Sequence, residues 1–275
     1  MRRGRLLIGL VIAVISVISY YSVRQTNPIT GETQHIALTR DQEIAIGLQS
    51  APEMADQFGG LDPDPSIQAD VAAVGQRVVR QSVAAGSQYE FSFHVLQDPE
   101  TVNAFALPGG PIFITRGLLS RLENEAQLAG VLGHETGHVI ARHSAAQIAK
   151  SQLAQGLVTA VGAAGSDDGS GGQHSAQVAA VVAQMVQLRY GRNDEIQADT
   201  LGVRLMSEAG YDPRAMIELM QILEKSGSAE RPPEFMSSHP DPGNRREVIM
   251  RAIQSRYPSG VPETLTLGRR IKMST

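Results

Sequence analysis

The sequence predicts an α+β fold that is mostly helical, with a small sheet of three or four strands packed beside one long helix. Apolar residues recur at helical spacing over most of the chain, whereas short alternating segments occur only within residues 89–115. The chain has 275 residues, of which 42% are hydrophobic and 19% charged. This length and composition are typical of a globular protein with room for one ample domain.

The predicted elements follow one another in a simple order. A capping-box pattern at Thr39 and Gln42 opens a first helix toward Ser50. After an earlier strand, two further short strands flank a Pro-Gly-Gly-Pro turn, and a long helix then begins near Asn124 and reaches at least Lys150. The three strands are expected over residues 89–96, 103–107 and 112–115. The remaining helices are expected over residues 66–84, 175–189, 194–208, 213–223 and 244–255.

Two further stretches are notably apolar. Leu153–Ala164 and Ala176–Leu188 could touch a membrane, but both are too short to span one and carry glutamines, so we interpret them as buried core helices. Residues 162–172 between them are rich in glycine and are interpreted as a loop.

The composition excludes several classes of protein. A formal net charge of −4 argues against nucleic acid as a partner, since nucleic-acid-binding proteins normally carry a basic surface. The chain has no cysteine, which excludes disulfides, thiolate metal sites and cysteine nucleophiles. Any bound metal ion must therefore be held by imidazole and carboxylate groups.

The N-terminal region predicts a membrane segment. Three arginines stand within the first five residues, and the uncharged run from Leu6 to Val23 is about 27 Å long as a helix, close to the thickness of a bilayer core. Tyr20 and Tyr21 lie where interfacial aromatic residues are found, and the arginines favour the cytoplasmic side. We therefore predict an anchor over residues 1–24, a spacer over 25–38 and a domain over 39–275. We expect a single-pass protein of the bacterial inner membrane with its domain in the periplasm. The alternative is that residues 1–24 are a cleaved signal peptide and that the domain is periplasmic or secreted.

A histidine pair lies within the predicted long helix. His134 and His138 are four residues apart, so both imidazoles project from one face and can bind the same ion. Glu135 is rotated by about 100° but remains beside the site, where it can accept the proton of a metal-bound water. A metzincin would place a further histidine six residues after His138, but Ser144 stands there. We interpret His143, which is turned off the ligand face, as a surface or packing histidine.

The third ligand is expected downstream, because catalytic zinc sites use three protein ligands and one open position. Glu195 and Asp199 are four residues apart on a predicted helix. One carboxylate of such a pair can bind the metal ion while the other accepts a hydrogen bond from a ligand imidazole. Two acidic residues on a helix would by themselves indicate a face exposed to solvent. We interpret them as a metal ligand and its supporting carboxylate only because the histidine pair requires a third ligand.

Four motifs together resemble one family. The segments HETGH, EIQAD, NAFALPGG and Ser238-His239-Pro240 are similar to those of the HtpX-type and CAAX-protease-type family of gluzincin metallopeptidases, and they occur in the family's order. The resemblance covers residues 39–251, and the NPITGE segment is similar to soluble bacterial members. Thr136 departs from the aliphatic residue of many relatives, although it is not a ligand position. The resemblance implies a zincin-like metallopeptidase domain.

The resemblance also implies a role for each matching residue. His134, His138 and Glu195 would bind one zinc ion per chain, Glu135 would be the general base, and Asp199 would hold a ligand imidazole. Asn103, Ala104 and Phe105 would belong to an edge strand that pairs with an extended substrate. His239 would lie over the metal ion, either as an electrophile for the oxyanion or as an occluding residue in a resting state. Arg245 occupies the family's arginine position, with Arg246 as a weaker substitute.

The sequence thus predicts a membrane-anchored zinc endopeptidase that acts on extended or misfolded envelope proteins in protein quality control. Its partners would be polypeptide substrates and the membrane. A chaperone-like or scaffold protein that retains zinc with little proteolysis is the main alternative. A prenyl-protein protease is disfavoured, because it would be expected to have several membrane spans and this chain has one credible span.

Overall fold

The computed structural model describes residues 2–165, 190–227, 233–240 and 243–271. The chain divides into two compact units, one formed by residues 1–39 with 143–188 and the other by residues 40–142 with 189–275. The predicted helix over 175–189 and most of the predicted 162–172 loop lie outside the described residues.

The first unit contains two long helices and a short hairpin. Helix α1 spans Arg2–Ser22, and it is long and apolar enough to cross a membrane. Strands β1 (Arg24–Thr26) and β2 (Thr33–His35) pair in antiparallel fashion within the predicted spacer. Helix α6 spans His143–Gly165 and packs against α1.

One prediction about α6 is wrong. The Leu153–Ala164 stretch is not a buried core helix, since the side chains of Val158 and Val161 are 65% and 75% exposed. Its apolar character therefore does not come from burial within the described part of the protein.

The second unit carries a three-stranded sheet and the remaining helices, which confirms the predicted mostly helical α+β class. The strands are β3 (Ser92–Leu96), β4 (Ala104–Ala106) and β5 (Pro111–Thr115). Their order is β3-β5-β4, with β3 parallel and β4 antiparallel to β5. Strand β4 is consequently an edge of this sheet. The helices are α2 (Arg40–Gln57), α3 (Pro65–Arg80), α4 (Arg116–Leu119), α5 (Glu125–Ile140), α7 (Arg192–Glu208), α8 (Ala215–Lys225), α9 (Glu234–Ser238) and α10 (Arg245–Arg256), together with a 3₁₀ turn over Val83–Ser87.

Helix α5 lies at the centre of this unit and packs against α3, α7 and α8. Asn124 caps it, because the Asn124 side-chain oxygen accepts a hydrogen bond from the Gln127 N–H at 3.0 Å. The N–H groups of Glu125 and Ala126 donate to the carbonyls of Arg269 and Leu267, so the C-terminal segment of the chain satisfies the first turn. Every residue from Ala126 to Ile140 is buried.

The predicted long helix is interrupted, contrary to expectation. Helix α5 ends at Ile140, and Arg142 adopts a left-handed conformation with φ of 60° before α6 begins at His143. The Arg142 guanidinium makes two hydrogen bonds to Glu43 Oε1, at 2.7 and 2.9 Å, and these tertiary contacts hold the break. The local sequence contains neither glycine nor proline, so it carries no signal of the break.

Candidate metal centre

Two histidines of α5 form the base of the site. One turn of helix separates His134 and His138, and their Nε2 atoms lie 3.1 Å apart. Both side chains are buried. Tyr190 stacks on the His138 ring with centroids 3.9 Å apart, which fixes the plane of that imidazole.

Helix α7 brings Glu195 to the same point. Its two carboxylate oxygens each lie 3.5 Å from a histidine, Oε2 from His134 Nε2 and Oε1 from His138 Nε2. Burial alone would raise the pKa of Glu195, but attraction to the site's histidines and to Arg245 outweighs it and lowers the pKa. The carboxylate is therefore held in its charged, ligand-competent form.

Small residues allow α5 and α7 to approach this closely. A Cβ atom on Gly137 would lie 3.2 Å from both the Ala198 carbonyl oxygen and Leu201 Cβ. A Cβ on Gly202 would lie 3.2 Å from the backbone nitrogen of His134. Both distances are tighter than normal contacts, so larger residues would push the two ligand-bearing helices apart.

Asp199 lies one turn beyond Glu195 and orients His134. Its Oδ1 atom is 2.9 Å from His134 Nδ1, which leaves Nε2 of that ring directed at the other ligand atoms. Arg245 donates two hydrogen bonds to the same carboxylate, at 2.7 and 2.9 Å. Although burial opposes it, the Arg245 charge with these hydrogen bonds lowers the pKa of Asp199 to about 2.

Of the two neighbouring arginines, Arg245 is the one at the site. Its side chain is buried, and its Nη1 atom lies 3.5 Å from Glu195 Oε2. Arg246 is half-exposed and lies 4.0 Å from Glu224, away from the cluster.

His239, which follows α9, adds a fourth side chain to the cluster of His134, His138 and Glu195. Its Nδ1 atom is 3.1 Å from Glu195 Oε1 and 3.3 Å from His134 Nε2. The ring of Phe235 stacks on it with centroids 4.5 Å apart. Burial would lower the pKa of His239, but the charges of Glu135 and Glu195 outweigh it and raise the pKa.

Glu135 lies beside this cluster without joining it. Its Oε1 atom is 3.5 Å from His239 Nε2, yet neither carboxylate oxygen has a hydrogen-bond partner among the described residues. Burial, which removes the carboxylate from water, raises the pKa of Glu135 against the opposing attraction of His239 and His134. A buried carboxylate with a raised pKa and free acceptor positions is suited to accept and return a proton.

The donor set fits a divalent metal ion. One ligand atom from each of His134, His138, Glu195 and His239 lies within 4.8 Å of the others. The nearest of these atoms are 3.1–3.5 Å apart. Ligands of a tetrahedral ion with bonds of about 2.0–2.1 Å stand at about that separation. Glu195 Oε2 is buried without a hydrogen-bond partner among the described residues, as expected for an atom reserved for a cation.

The predicted substrate strand adjoins the metal helix, since β4 contacts α5. The Asn103 carbonyl accepts from Thr115 N–H at 3.0 Å and the Leu107 N–H donates to Pro111, so these alternate residues turn their backbones toward β5. The backbone groups of Ala104 and Ala106 therefore face away from the sheet. Phe105 stacks on Phe113 of β5 with centroids 5.2 Å apart. The Asn103 side chain donates to Glu234 at 3.3 Å.

Sequence reasoning missed three residues at or near the site. Tyr190 and Phe235 stack on its histidines, and Arg142 ends the metal-bearing helix. Tyr190 stands shortly before the EIQAD segment and Phe235 four residues before His239, but neither belongs to a motif of spaced ligands. Only their stacking contacts in the folded protein reveal these two aromatic residues.

A mostly helical domain with two histidines and a glutamate converging on one point defines the class of zincin-like metallopeptidases. Comparison of this sequence with those of known proteins identifies the family within that class. The sequence profile of peptidase family M48 matches residues 65–253, and the chain belongs to that family of metallopeptidases. The family resemblance inferred from the four motifs is thereby confirmed.

The relatives that match this chain include proteins of two kinds. The chain is 31% identical to the mitochondrial metalloendopeptidase OMA1 of Schizosaccharomyces pombe over 234 residues, which cover 84% of this chain and 66% of that protein. It is 30% identical to the beta-barrel assembly-enhancing protease of Escherichia coli K12 over 226 residues, which cover 80% of this chain and 45% of that protein. The chain thus spans only part of the length of these curated relatives.

Proposed function

We propose that this protein is a zinc-dependent endopeptidase anchored in a membrane by α1. The observation that carries the proposal is the convergence of His134, His138 and Glu195 next to Glu135, whose carboxylate accepts no hydrogen bond from the described residues. Two imidazoles and one carboxylate form a ligand set of catalytic zinc sites, and the absence of cysteine leaves no thiolate alternative. One zinc ion per chain is expected.

Each residue of the centre receives a role in peptide hydrolysis. A bound zinc ion would act as a Lewis acid on the scissile carbonyl and would acidify the attacking water. Glu135 accepts the proton of that water and passes it to the leaving amine, for which its raised pKa is suited. Asp199 holds His134 in the orientation that directs Nε2 to the metal ion, and Arg245 keeps Asp199 charged.

His239 is proposed as the residue that faces the reacting carbonyl. Its contacts with Glu195 and His134, at 3.1 and 3.3 Å, support this proposal because they bring the imidazole next to the proposed ligands. In this arrangement it occludes the metal site, and after a shift it would donate a hydrogen bond to the developing oxyanion.

The substrate is proposed to bind as an added strand on β4. Ala104 and Ala106 are buried in this arrangement, so the segment that covers them would have to move before a substrate binds. Their N–H and C=O groups that face away from β5 would then offer backbone hydrogen bonds that are independent of the substrate's side chains, and Asn103 and Phe105 would hold the strand in place. N-methylation of the substrate backbone at the pairing residues should lower kcat/KM by about two- to tenfold per lost bond. Methylation one residue further along, at a group that faces away, is the control; equal effects at both positions would contradict strand pairing.

Extended or misfolded proteins of the bacterial envelope are the proposed substrates. One relative is named a beta-barrel assembly-enhancing protease, and the orientation predicted for α1 places the domain over residues 39–275 in the periplasm. Residues 1–24 are proposed as the anchor in the inner membrane. The spacer over 25–38 contains the β1–β2 hairpin.

The decisive experiment compares the wild type with Glu135→Gln in the full chain. We expect both proteins to bind one zinc ion per chain by metal analysis, because Glu135 is not one of the clustered ligands. Only the wild type should cleave unfolded casein, and peptide mapping should show internal cuts. Undiminished cleavage by Glu135→Gln would refute the assigned role of this residue.

A zinc-retaining chaperone or scaffold is the second candidate. It is favoured by one observation, namely that His239 supplies a fourth protein ligand atom, and four protein ligands are typical of structural zinc. A wild-type protein that binds one zinc ion and unfolded clients but never cleaves them would establish this alternative.

A further inference from the structure

The second half of helix α6 has an exposed apolar face that the function proposed above does not use. No charged residue occurs from Ser151 to Ser166. The side chains of Leu157, Val158 and Val161 are 39%, 65% and 75% exposed. A helix on the surface of a soluble protein normally turns polar residues to water and its apolar stripe to the core, so this face indicates a different surrounding medium.

Helix α6 packs along α1 in the opposite direction. Near its start, Ala149, Gln152 and Leu153 share a small cleft with Ser19, Tyr20 and Val23 at the end of α1. Further along α6, Gly156 comes opposite Ser16, which lies earlier in α1. As α6 proceeds from its start toward Gly165, it therefore runs back along the apolar length of α1.

The contact between the two helices is typical of a pair in a membrane. A Cβ atom on Gly156 would lie 2.3 Å from Ser16 Oγ, so the side chain of Ser16 fills the space that a larger residue at position 156 would need. Small residues provide such contacts where lipid, rather than water, surrounds the helices.

Two hydroxyl groups in the overlapping part of this pair donate to carbonyls of their own helices. Ser16 donates to the Ile12 carbonyl at 2.9 Å, and Thr159 donates to the Gln155 carbonyl at 2.8 Å. Groups bonded in this way need no water. The amide side chains of Gln152 and Gln155 belong to the part of α6 nearer Tyr20, where headgroups would lie.

We propose that α6 from Leu153 to Gly165 lies in the same lipid bilayer as α1, with Leu157, Val158 and Val161 facing the acyl chains. The nine residue steps from Gly156 to Gly165 extend about 14 Å along the helix axis, which carries α6 well below the level of Tyr20. Helix α1, which packs against α6, exposes large apolar side chains along its length as α6 does, and this favours lipid over a protein partner. The proposal rests on the membrane anchoring of α1 proposed above.

The absence of cysteine allows a direct test by depth-dependent quenching. Single-cysteine variants Val158→Cys and Val161→Cys of the full chain are labelled with an environment-sensitive fluorophore and reconstituted into phosphatidylethanolamine–phosphatidylglycerol vesicles. Val14→Cys in α1 serves as the lipid control. Leu48→Cys in α2, 61% exposed, serves as the water control. Cleavage of casein at the wild-type rate shows that each labelled variant is folded.

We expect positions 158 and 161 to behave like position 14. Their fluorescence should be quenched by nitroxides on the acyl chains, and their quenching constants for aqueous iodide should be several-fold below that of position 48. Quenching of 158 and 161 by iodide, with 14 protected, would overturn the proposal while leaving the anchor intact. Quenching of 14 by iodide would instead refute the anchor. Protection of 158 and 161 from both quenchers would show that another protein surface, such as a second copy of this chain, covers α6, and would also overturn the proposal.

Discussion

The buried ion pair between Arg142 and Glu43 should be a main support of the metal-bearing helix. Arg142 ends α5 in a left-handed conformation, and its side chain and that of Glu43 are 8% and 2% exposed. Tyr89 donates a hydrogen bond to the other oxygen of Glu43. Burial raises the pKa of Glu43 in spite of these partners, so the carboxylate depends on them to remain charged.

Two substitutions of Arg142 separate the ion pair from the backbone conformation. Arg142→Ala leaves a buried carboxylate without its cation and should destabilise the protein by about 3–5 kcal/mol. Arg142→Gly loses the same pair but relieves the left-handed strain, so it should be about 1 kcal/mol more stable than Arg142→Ala. Glu43→Gln combined with Arg142→Ala should destabilise by less than the sum of the single changes, because no buried charge is left.

The assay is thermal unfolding of the zinc-loaded protein in detergent, followed by circular dichroism. A loss of 3–5 kcal/mol corresponds to a fall in Tm of about 6–15 °C in a protein of this size. Arg204→Ala, which breaks an exposed 2.9 Å pair with Glu208, is the matched control and should change stability by about 0–1 kcal/mol. Equal effects of Arg142→Ala and Arg204→Ala, or an Arg142→Gly protein less stable than Arg142→Ala, would refute the reasoning.

Three further predictions concern the centre and its support. Gly137→Ala should lower stability by about 1–3 kcal/mol and weaken zinc binding by separating α5 from α7; Gly86→Ala, whose added Cβ meets nothing within 4 Å, is the control in thermal unfolding and zinc titration. Asp199→Asn should weaken zinc binding by about 10–100-fold in competition with a chelator, because His134 loses a charged partner; unchanged affinity would contradict the orienting role. Burial opposes ionisation of Asp212, but hydrogen bonds from Arg214 outweigh it and lower the pKa of Asp212 in the folded protein. The ionised carboxylate therefore stabilises the fold at pH values above its unfolded pKa of about 4, and this stabilisation is lost as the pH falls through the lower folded pKa. The Tm difference between wild type and Asp212→Asn should therefore be present at pH 7 and vanish at strongly acidic pH, and a difference that grows on acidification would reverse the sign of the argument.

Local patterns in the sequence predicted the start of α5 and the spacing of its two candidate ligands, but not the end of this helix. The start of α5 at Asn124 follows from its cap, and the four-residue spacing of His134 and His138 follows from helical geometry. The pairing of α5 with α7 could be inferred only through the need for a third ligand. The fold class followed from the confinement of alternating segments to one region.

Features determined by tertiary contacts could not be predicted in this way. The break at Arg142 depends on Glu43, which lies 99 residues away. The exposure of α6 was mistaken for burial, because an apolar run has the same composition in a protein core and beside lipid. The stacking of Tyr190 and Phe235 on the histidines likewise arises only when distant segments meet.

The charges of the buried centre give a physical reason for a divalent cation. Glu135, Glu195 and Asp199 carry three negative charges when ionised, and Arg245 carries one positive charge, so the sum is −2 with neutral histidines. Uncompensated charge is costly in a buried site, and a divalent cation brings the sum to zero. The raised pKa of His239 agrees with this, because the negative charges of Glu135 and Glu195 favour an added proton on the imidazole in spite of its burial. Ligand geometry and charge balance, which are independent properties of the site, therefore indicate the same ion.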